Sequence, residues 1–328
     1  MKSIRLFGLV ILVALGMSAC DILEPVKQER KPDVEVVLSA FLTPGAPVSL
    51  TLRRTIPLEQ YYPFRDLTPF AIHDANVVVN VDGVDYQLVE ADPIAHPGVY
   101  VDSSLIASSL TTYSVDITFP AAHEFSDRHI TGSTTVPGPA TMTATLNPSQ
   151  VAKGGTLDNL IFPKQLADPS RFGTTSALTP FTVEWQPVDE AAGYMVGIIA
   201  HDTSGTGILR WNMYESWLDG DFRSPNQRQF LQKSGLLTLP DSVRADIFWA
   251  LFNLQGWQDV VLIAADRAYF DYFRTVVNGA GSSGADADQG VALNVHGGLG
   301  VFGAYSSDTL QVYINPREYL PSQDTTRP

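Results

Sequence analysis

Short runs of alternating apolar and polar residues dominate the first third of the chain. Val34–Leu42 and Val48–Ile56 alternate over most of their length, and two further runs flank Asp82-Gly83. An Asp-Gly pair between such runs is typical of a hairpin, because both turn positions need positive φ. Similar runs follow without a helical pattern between them, so we predict an N-terminal antiparallel β-sandwich over residues 33–137.

A second strand-rich region follows residues 138–179, which are rich in Gly, Pro and Ser and are predicted to form a linker or long loop. From residue 180 the apolar runs resume. We therefore predict a C-terminal sandwich-like domain over residues 180–315 and a polar tail over residues 316–328. The predicted fold class is mainly β, with two antiparallel β-sandwich domains that resemble immunoglobulin or fibronectin type III domains.

Three features predict strands within the C-terminal domain. Val260–Ala265 is uniformly apolar, as expected for a strand buried on both faces. Residues 299–305 and 309–314 are predicted to form a terminal hairpin. Trp185 and Tyr194 resemble the buried Trp and Tyr that lie on neighbouring early strands of fibronectin-like domains.

Helical periodicity appears within a predicted insertion that covers about residues 214–257. A first helix is predicted to begin near Asp241 or Ser242, directly after Pro240, and to end at Gly256. Apolar residues recur at helical spacing along it: Val243, Ile247, Ala250, Leu251 and Leu254.

A second helix is predicted after the apolar strand 260–265. Asp266 is suited to the N-cap, and Asn278-Gly279 is suited to the C-cap. The apolar positions between them are Tyr269, Tyr272, Phe273 and Val276.

The N-terminus has the pattern of a bacterial export signal. Lys2 and Arg5 precede an apolar run over residues 6–15, and small residues lead to Cys20. The run is too short to span a bilayer, which needs about 20 apolar residues. We predict a lipoprotein signal peptide over residues 1–19, acylation of Cys20, and a tether that extends to residue 32. More than one acyl chain on Cys20 would give a stable membrane anchor.

Charge and cysteine content exclude several classes of function. The chain has 35 acidic and 21 basic residues, a net charge of −14, which disfavours nucleic-acid binding and electrostatic binding to anionic lipid. Membrane attachment is therefore expected through the lipid alone. Cys20 is the only cysteine, so disulfides, zinc–thiolate sites and iron–sulfur clusters are excluded once it is acylated.

The motifs that could indicate catalysis or cofactor binding are weak. Residues 279–284 and 298–303 match G-x-G-x-x-G, but neither lies between a strand and a helix, so we predict no nucleotide site. The glycines of the second motif are instead predicted to allow close backbone packing. His123 and His129 are six residues apart and are interpreted as a solvated pair. We predict no enzyme, no cofactor and no metal site.

Aromatic residues are the candidates for partner binding. The candidates in the second domain are Trp211, Trp217, Phe248, Trp249, Phe252 and Trp257, and those in a loop of the first are Tyr61 and Tyr62. Trp and Tyr often anchor interfaces, so an excess apolar face here could dock a partner. The alternative, that the second-domain cluster fills a core, stays open.

Taken in order, several of these features resemble one bacterial family. They are Cys20, Asp82-Gly83, the Trp185–Tyr194 segment, the Asp266–Tyr272 segment and the glycine-rich run 297–305. The chain is similar to the lipoproteins catalogued as domain of unknown function 4249. The resemblance implies an outer-membrane location beside TonB-dependent receptors, and it implies no reaction.

The function expected from these observations is non-enzymatic. We expect an outer-membrane, lipid-anchored accessory or ligand-presenting subunit for a β-barrel receptor of the TonB-dependent type. A lipoprotein that binds a glycan or peptide independently is the alternative, and a hydrolase whose site is not visible in sequence is a second one. The sequence does not show whether the ligand is a small molecule, a glycan or a peptide. It also does not show on which face of the outer membrane the protein lies.

Overall fold

The computed structural model describes residues 34–55, 68–149, 151, 154–161, 178–201, 237–252, 256–281 and 294–315. The predicted signal peptide, Cys20, the tether and the polar tail lie outside the described residues. The fold is mainly β, with one long curled sheet and a smaller sheet of three strands.

The elements have the following bounds in chain order. They are β1 (Val36–Leu42), β2 (Pro47–Arg54), β3 (Asn76–Val81), β4 (Val84–Glu90), β5 (Val99–Ile106), β6 (Thr112–Thr118), β7 (His129–Thr135), β8 (Met142–Leu146), β9 (Leu160–Ile161), β10 (Phe181–Trp185), β11 (Gly193–Ala200), β12 (Leu237–Leu239), β13 (Arg244–Ile247), β14 (Gly256–Ala265), α1 (Arg267–Gly281), β15 (Val295–His296) and β16 (Leu299–Asn315). Short 3-10 helices cover Thr68–Phe70 and Trp249–Leu251.

The first sandwich is formed where the long sheet curls over itself. Its strand order from β16 runs β1, β2, β5, β4, β3, β6, β7 and β15. The predicted hairpin at Asp82-Gly83 is confirmed: it joins β3 to β4, with φ angles of 52° and 81°. Alternate residues of β1 point inward, and the buried side chains of both layers form one hydrophobic core.

The second sandwich packs strands β12, β11, β14 and β16 of the long sheet against the separate sheet β13, β10 and β8. Trp185 and Tyr194 lie on successive strands in facing sheets, with ring centroids 5.3 Å apart, and both are buried. The sequence therefore identified this core pair correctly.

Strand β16 belongs to both sandwiches. Its first part, Leu299–Ala304, pairs in parallel with β1, and its second part, Tyr305–Ile314, pairs antiparallel with β14. The predicted hairpin between residues 299–305 and 309–314 is wrong, because pairing with β14 continues without a break through Ser306, Ser307 and Asp308. The division into domains 33–137 and 180–315 stays a prediction, since one strand completes both cores.

The helix predicted from Asp241 to Gly256 is also wrong. Residues 244–247 form strand β13, which pairs with β10, and only Trp249–Leu251 form a 3-10 turn. Ala245, Ile247 and Trp249 are buried, while Arg244, Asp246 and Phe248 are more exposed, so the period of burial here is two. Pairing with β10 therefore overrides the weaker helical pattern.

The second predicted helix is confirmed as α1, and it ends slightly later than predicted. Asp266 caps it, because Oδ1 accepts a hydrogen bond of 2.8 Å from the backbone N–H of Tyr269. The other carboxylate oxygen accepts a bond of 2.5 Å from the hydroxyl of Thr134 on β7. Asp266 therefore links the helix to the first sandwich.

Burial raises the pKa of Asp266, and the hydrogen bonds from Thr134 and the Tyr269 backbone oppose that rise. Because the folded pKa lies above the unfolded value, protonated Asp266 stabilises the fold at acidic pH. That contribution is lost as pH rises through the folded pKa. Asp266→Asn keeps an oxygen that can accept the cap hydrogen bond, but its side chain does not titrate. We therefore expect the free energy of unfolding of the variant, relative to that of the native protein, to increase as pH rises from acidic to neutral. Urea denaturation across that range measures the difference, and a difference that does not change with pH contradicts the prediction.

Candidate binding surface

The outer face of β11, β14 and β16 is covered by α1 at one end, where Met195 and Ala265 are buried against Phe270, and is a mixed aromatic and polar surface at the other end. Even-numbered residues of β14 from Gln258 to Ala264 are buried, so the odd-numbered residues point away from the second core. The register places His201, Trp257 and Tyr313 side by side, and Ile199, Asp259 and Gln311 in the next row.

Trp257 is the most exposed aromatic side chain on this face. Its exposed fraction is 45%, and its ring lies 5.2 Å from that of Tyr313 at an interplanar angle of 70°. The backbone N–H of His201 donates to the Trp257 carbonyl at 2.9 Å, so β11 continues its pairing up to this row. The indole is therefore held by strand pairing and by an edge-to-face contact.

Asp259 lies two residues along β14 on the same face. One carboxylate oxygen is 2.8 Å from Nε2 of His201, and the other accepts a hydrogen bond of 3.2 Å from the amide of Gln311. Polar side chains from β14, from β16 and from the residue that follows β11 are thus held together beside an exposed indole. We call Trp257, Tyr313, His201, Asp259 and Gln311 the Trp257 platform.

The other predicted partner-binding residues are distributed differently. Trp249 and Phe252 are fully buried, with ring centroids 5.8 Å apart, and Phe252 also packs on Phe181. They are core residues, which corrects the prediction that they bind a partner. Phe248 is half-buried. The remaining candidates lie outside the described residues: Trp211, Trp217, Tyr61 and Tyr62.

Sequence reasoning selected Trp257 but missed its neighbours on the platform. His201, Asp259, Gln311 and Tyr313 are far apart in sequence and carry no motif. The one available signal was the alternation along β14, which separates Trp257 and Asp259 from the buried Gln258 and Val260.

A cavity of about 590 Å³ lies where the two sandwiches meet. Its lining includes Thr134, Glu190, Asp266, Arg267 and Asp271. The charged groups are already engaged in part, since the Arg267 guanidinium is 2.5 Å from the Asp271 carboxylate and Asp266 caps α1. Of these groups, Asp266 also links the two sandwiches, through its hydrogen bond from Thr134.

The glycines of the second G-x-G-x-x-G run have a packing role, as predicted. A Cβ on Gly300 would lie 1.8 Å from the carbonyl oxygen of Leu38, and one on Gly303 would lie 3.0 Å from the backbone nitrogen of Tyr269. These glycines let β1 and α1 approach β16 closely.

The described residues show no cluster of three or more His, Asp or Glu side chains that could hold a metal ion. His123 stacks on Phe119, with centroids 5.0 Å apart, whereas Nε2 of His129 lies 2.7 Å from the carboxylate of Asp116. Within the same described ranges, no helix is long and apolar enough to cross a membrane.

The fold and this surface define a β-sandwich protein with an exposed aromatic and polar platform. The chain belongs to the family described as domain of unknown function (DUF4249), whose profile matches residues 24–311. No curated protein matches the chain.

Among solved structures, the crystal structure of the chicken CNTN1 FN1-FN3 domains is similar at 11% sequence identity and a TM-score of 0.22. The match covers 71% of this chain and 61% of that one, so the chain spans about three fifths of that structure's length.

Proposed function

We propose that this protein is a lipid-anchored, non-enzymatic lipoprotein of the outer membrane that presents a ligand to a β-barrel receptor of the TonB-dependent type. The observation that carries the proposal is the Trp257 platform. It combines an exposed indole with fixed polar groups, which is the composition of a recognition surface.

The position of the platform also supports the proposal. β1, the first described strand, begins beside Leu299, at the N-terminal end of β16. Trp257 lies beside Tyr313, near the other end of β16. At about 3.3 Å per residue, roughly 45 Å of strand separates these two ends. A chain anchored by a lipid on Cys20 would therefore enter the fold at the end of β16 opposite to the platform, so the attachment point itself would not cover the platform.

The shared strand favours presentation by a single rigid body. β16 is hydrogen-bonded to β1 in one sandwich and to β14 in the other. A flexible linker between the sandwiches would let the platform change direction relative to the anchor. Continuous strand pairing restricts that motion, so a receptor could meet the platform in a defined orientation.

The test is affinity purification of the tagged, acylated protein from native envelopes in detergent, followed by mass spectrometry. We expect a β-barrel receptor to co-purify in stoichiometric amount. High-salt and high-pH washes of the membranes test the anchor, and the native protein should stay with the membranes until detergent is added. Its release without detergent contradicts the anchor, and purification of the acylated protein alone contradicts the receptor.

A further inference from the structure

We infer that the Trp257 platform binds an oligosaccharide of β-linked pyranose units with equatorial hydroxyl groups. The inference rests on the proposed function, because it names the class of ligand that would be presented. It is carried by the indole of Trp257, the fixed carboxylate of Asp259 and the polar row along β16.

The indole provides a surface for a sugar ring. A pyranose with equatorial hydroxyls has a flat face of C–H groups, which packs on an aromatic ring while its hydroxyls point outward. Trp257 is 45% exposed and its orientation is held by Tyr313. Little side-chain freedom is lost on binding when the ring is already held in place.

Asp259 is placed to accept hydrogen bonds from the hydroxyls of the stacked sugar. Its carboxylate is fixed by His201 and Gln311 and remains 25% exposed. A carboxylate has about four lone-pair positions, so two contacts leave capacity for adjacent hydroxyls. Hydrogen bonds from hydroxyls to a charged oxygen are among the stronger ones in proteins.

The strand beside Trp257 favours an extended ligand. Ser307, Thr309 and Gln311 are exposed on the outer face of β16 and continue away from Tyr313 in one row. A β-linked chain of equatorial units is an extended ribbon, which fits along such a row. The exposed side chains of this row are polar, which favours a sugar over a lipid tail.

The experiment is isothermal titration of the acylated protein with cellohexaose, chitohexaose and maltohexaose, in a detergent without a sugar headgroup. We expect at least one of the two β-linked hexasaccharides to bind and the α-linked maltohexaose to bind at least about tenfold more weakly. Trp257→Ala and Asp259→Asn should each weaken binding by about tenfold.

Phe41→Ala is the matched control, because Phe41 has a similar exposure of 39% but lies on β1 beside α1. It should leave the titration unchanged. The inference is overturned if neither β-linked sugar binds, if Trp257→Ala binds as tightly as the native protein, or if maltohexaose binds equally well.

Purification from envelopes separates failure of this inference from failure of the proposed function. A receptor that co-purifies with native protein but is lost with Trp257→Ala, while no sugar binds, identifies the platform as a protein-docking face and overturns the inference. Sugar binding without any receptor contradicts the proposed function and supports independent glycan capture.

Discussion

Gly300→Ala is expected to lower the free energy of unfolding by at least about 4 kcal/mol. Gly300 has a φ of 114°, a conformation that residues with a Cβ rarely adopt, and the added Cβ would meet the Leu38 carbonyl oxygen at 1.8 Å. This overlap can be removed only if the backbone of β1 or β16 moves. That movement would separate the parallel pair between Leu38 and Gly300.

The effect should extend to both sandwiches, because β16 completes both cores. Phe302 and Ala304 are buried in the first core, and Val312 and Ile314 are buried in the second. A shift of the strand at Gly300 changes the packing of the first pair directly. It also changes the position from which β16 enters the second sandwich.

Urea denaturation of the purified protein measures this effect, and Gly45→Ala is the matched control. Gly45 also has positive φ, at 80°, but an added Cβ there meets nothing within 4 Å. Gly45→Ala should lower the free energy of unfolding by about 1 kcal/mol, because alanine is strained at positive φ even without a steric overlap. If the two variants lose the same free energy of unfolding, the close approach of β1 to β16 is contradicted.

The strands of the first sandwich could be predicted from sequence because their signals are local. Alternation defines which side chains point inward, and Asp82-Gly83 fixes the register of β3 and β4. The continuity of β16 could not be predicted in the same way. Its pairing with both β1 and β14 depends on contacts between residues far apart in the chain. A local sequence pattern cannot predict such contacts.

The segment around β13 shows how a mixed pattern leads to a wrong element. Val243, Ile247, Leu251 and Leu254 match a helical spacing, while Ala245, Ile247 and Trp249 match a strand. The choice between these periods depends on β10, which offers backbone partners to Arg244–Ile247. Local sequence alone contains no information about that partner.

The candidate site was predicted only in part for the same reason. Residue type identifies Trp257 as an interface candidate, and alternation along β14 directs it outward together with Asp259. His201 and Gln311 become its neighbours only through the order β11, β14, β16. A site assembled across strands depends on topology, which the sequence did not determine.

Trp249→Ala is expected to lower the free energy of unfolding by about 3–5 kcal/mol, whereas Trp257→Ala should change it by at most about 1 kcal/mol. Trp249 is fully buried and packs on Phe252 in the second core. Its truncation removes buried apolar area and leaves a cavity among rigid strands. Trp257 is 45% exposed on the outer face, so its truncation removes contacts mainly from one side.

The same urea denaturation series measures both variants, and the contrast between them tests the assignment of core and surface. A large loss for Trp249→Ala with little change for Trp257→Ala supports a role for Trp249 in stability and leaves Trp257 accessible to a ligand. A loss of several kcal/mol for Trp257→Ala would mean that its ring is packed in the folded protein. The indole would then be unavailable for stacking on a sugar, and the proposed ligand site would have to lie elsewhere.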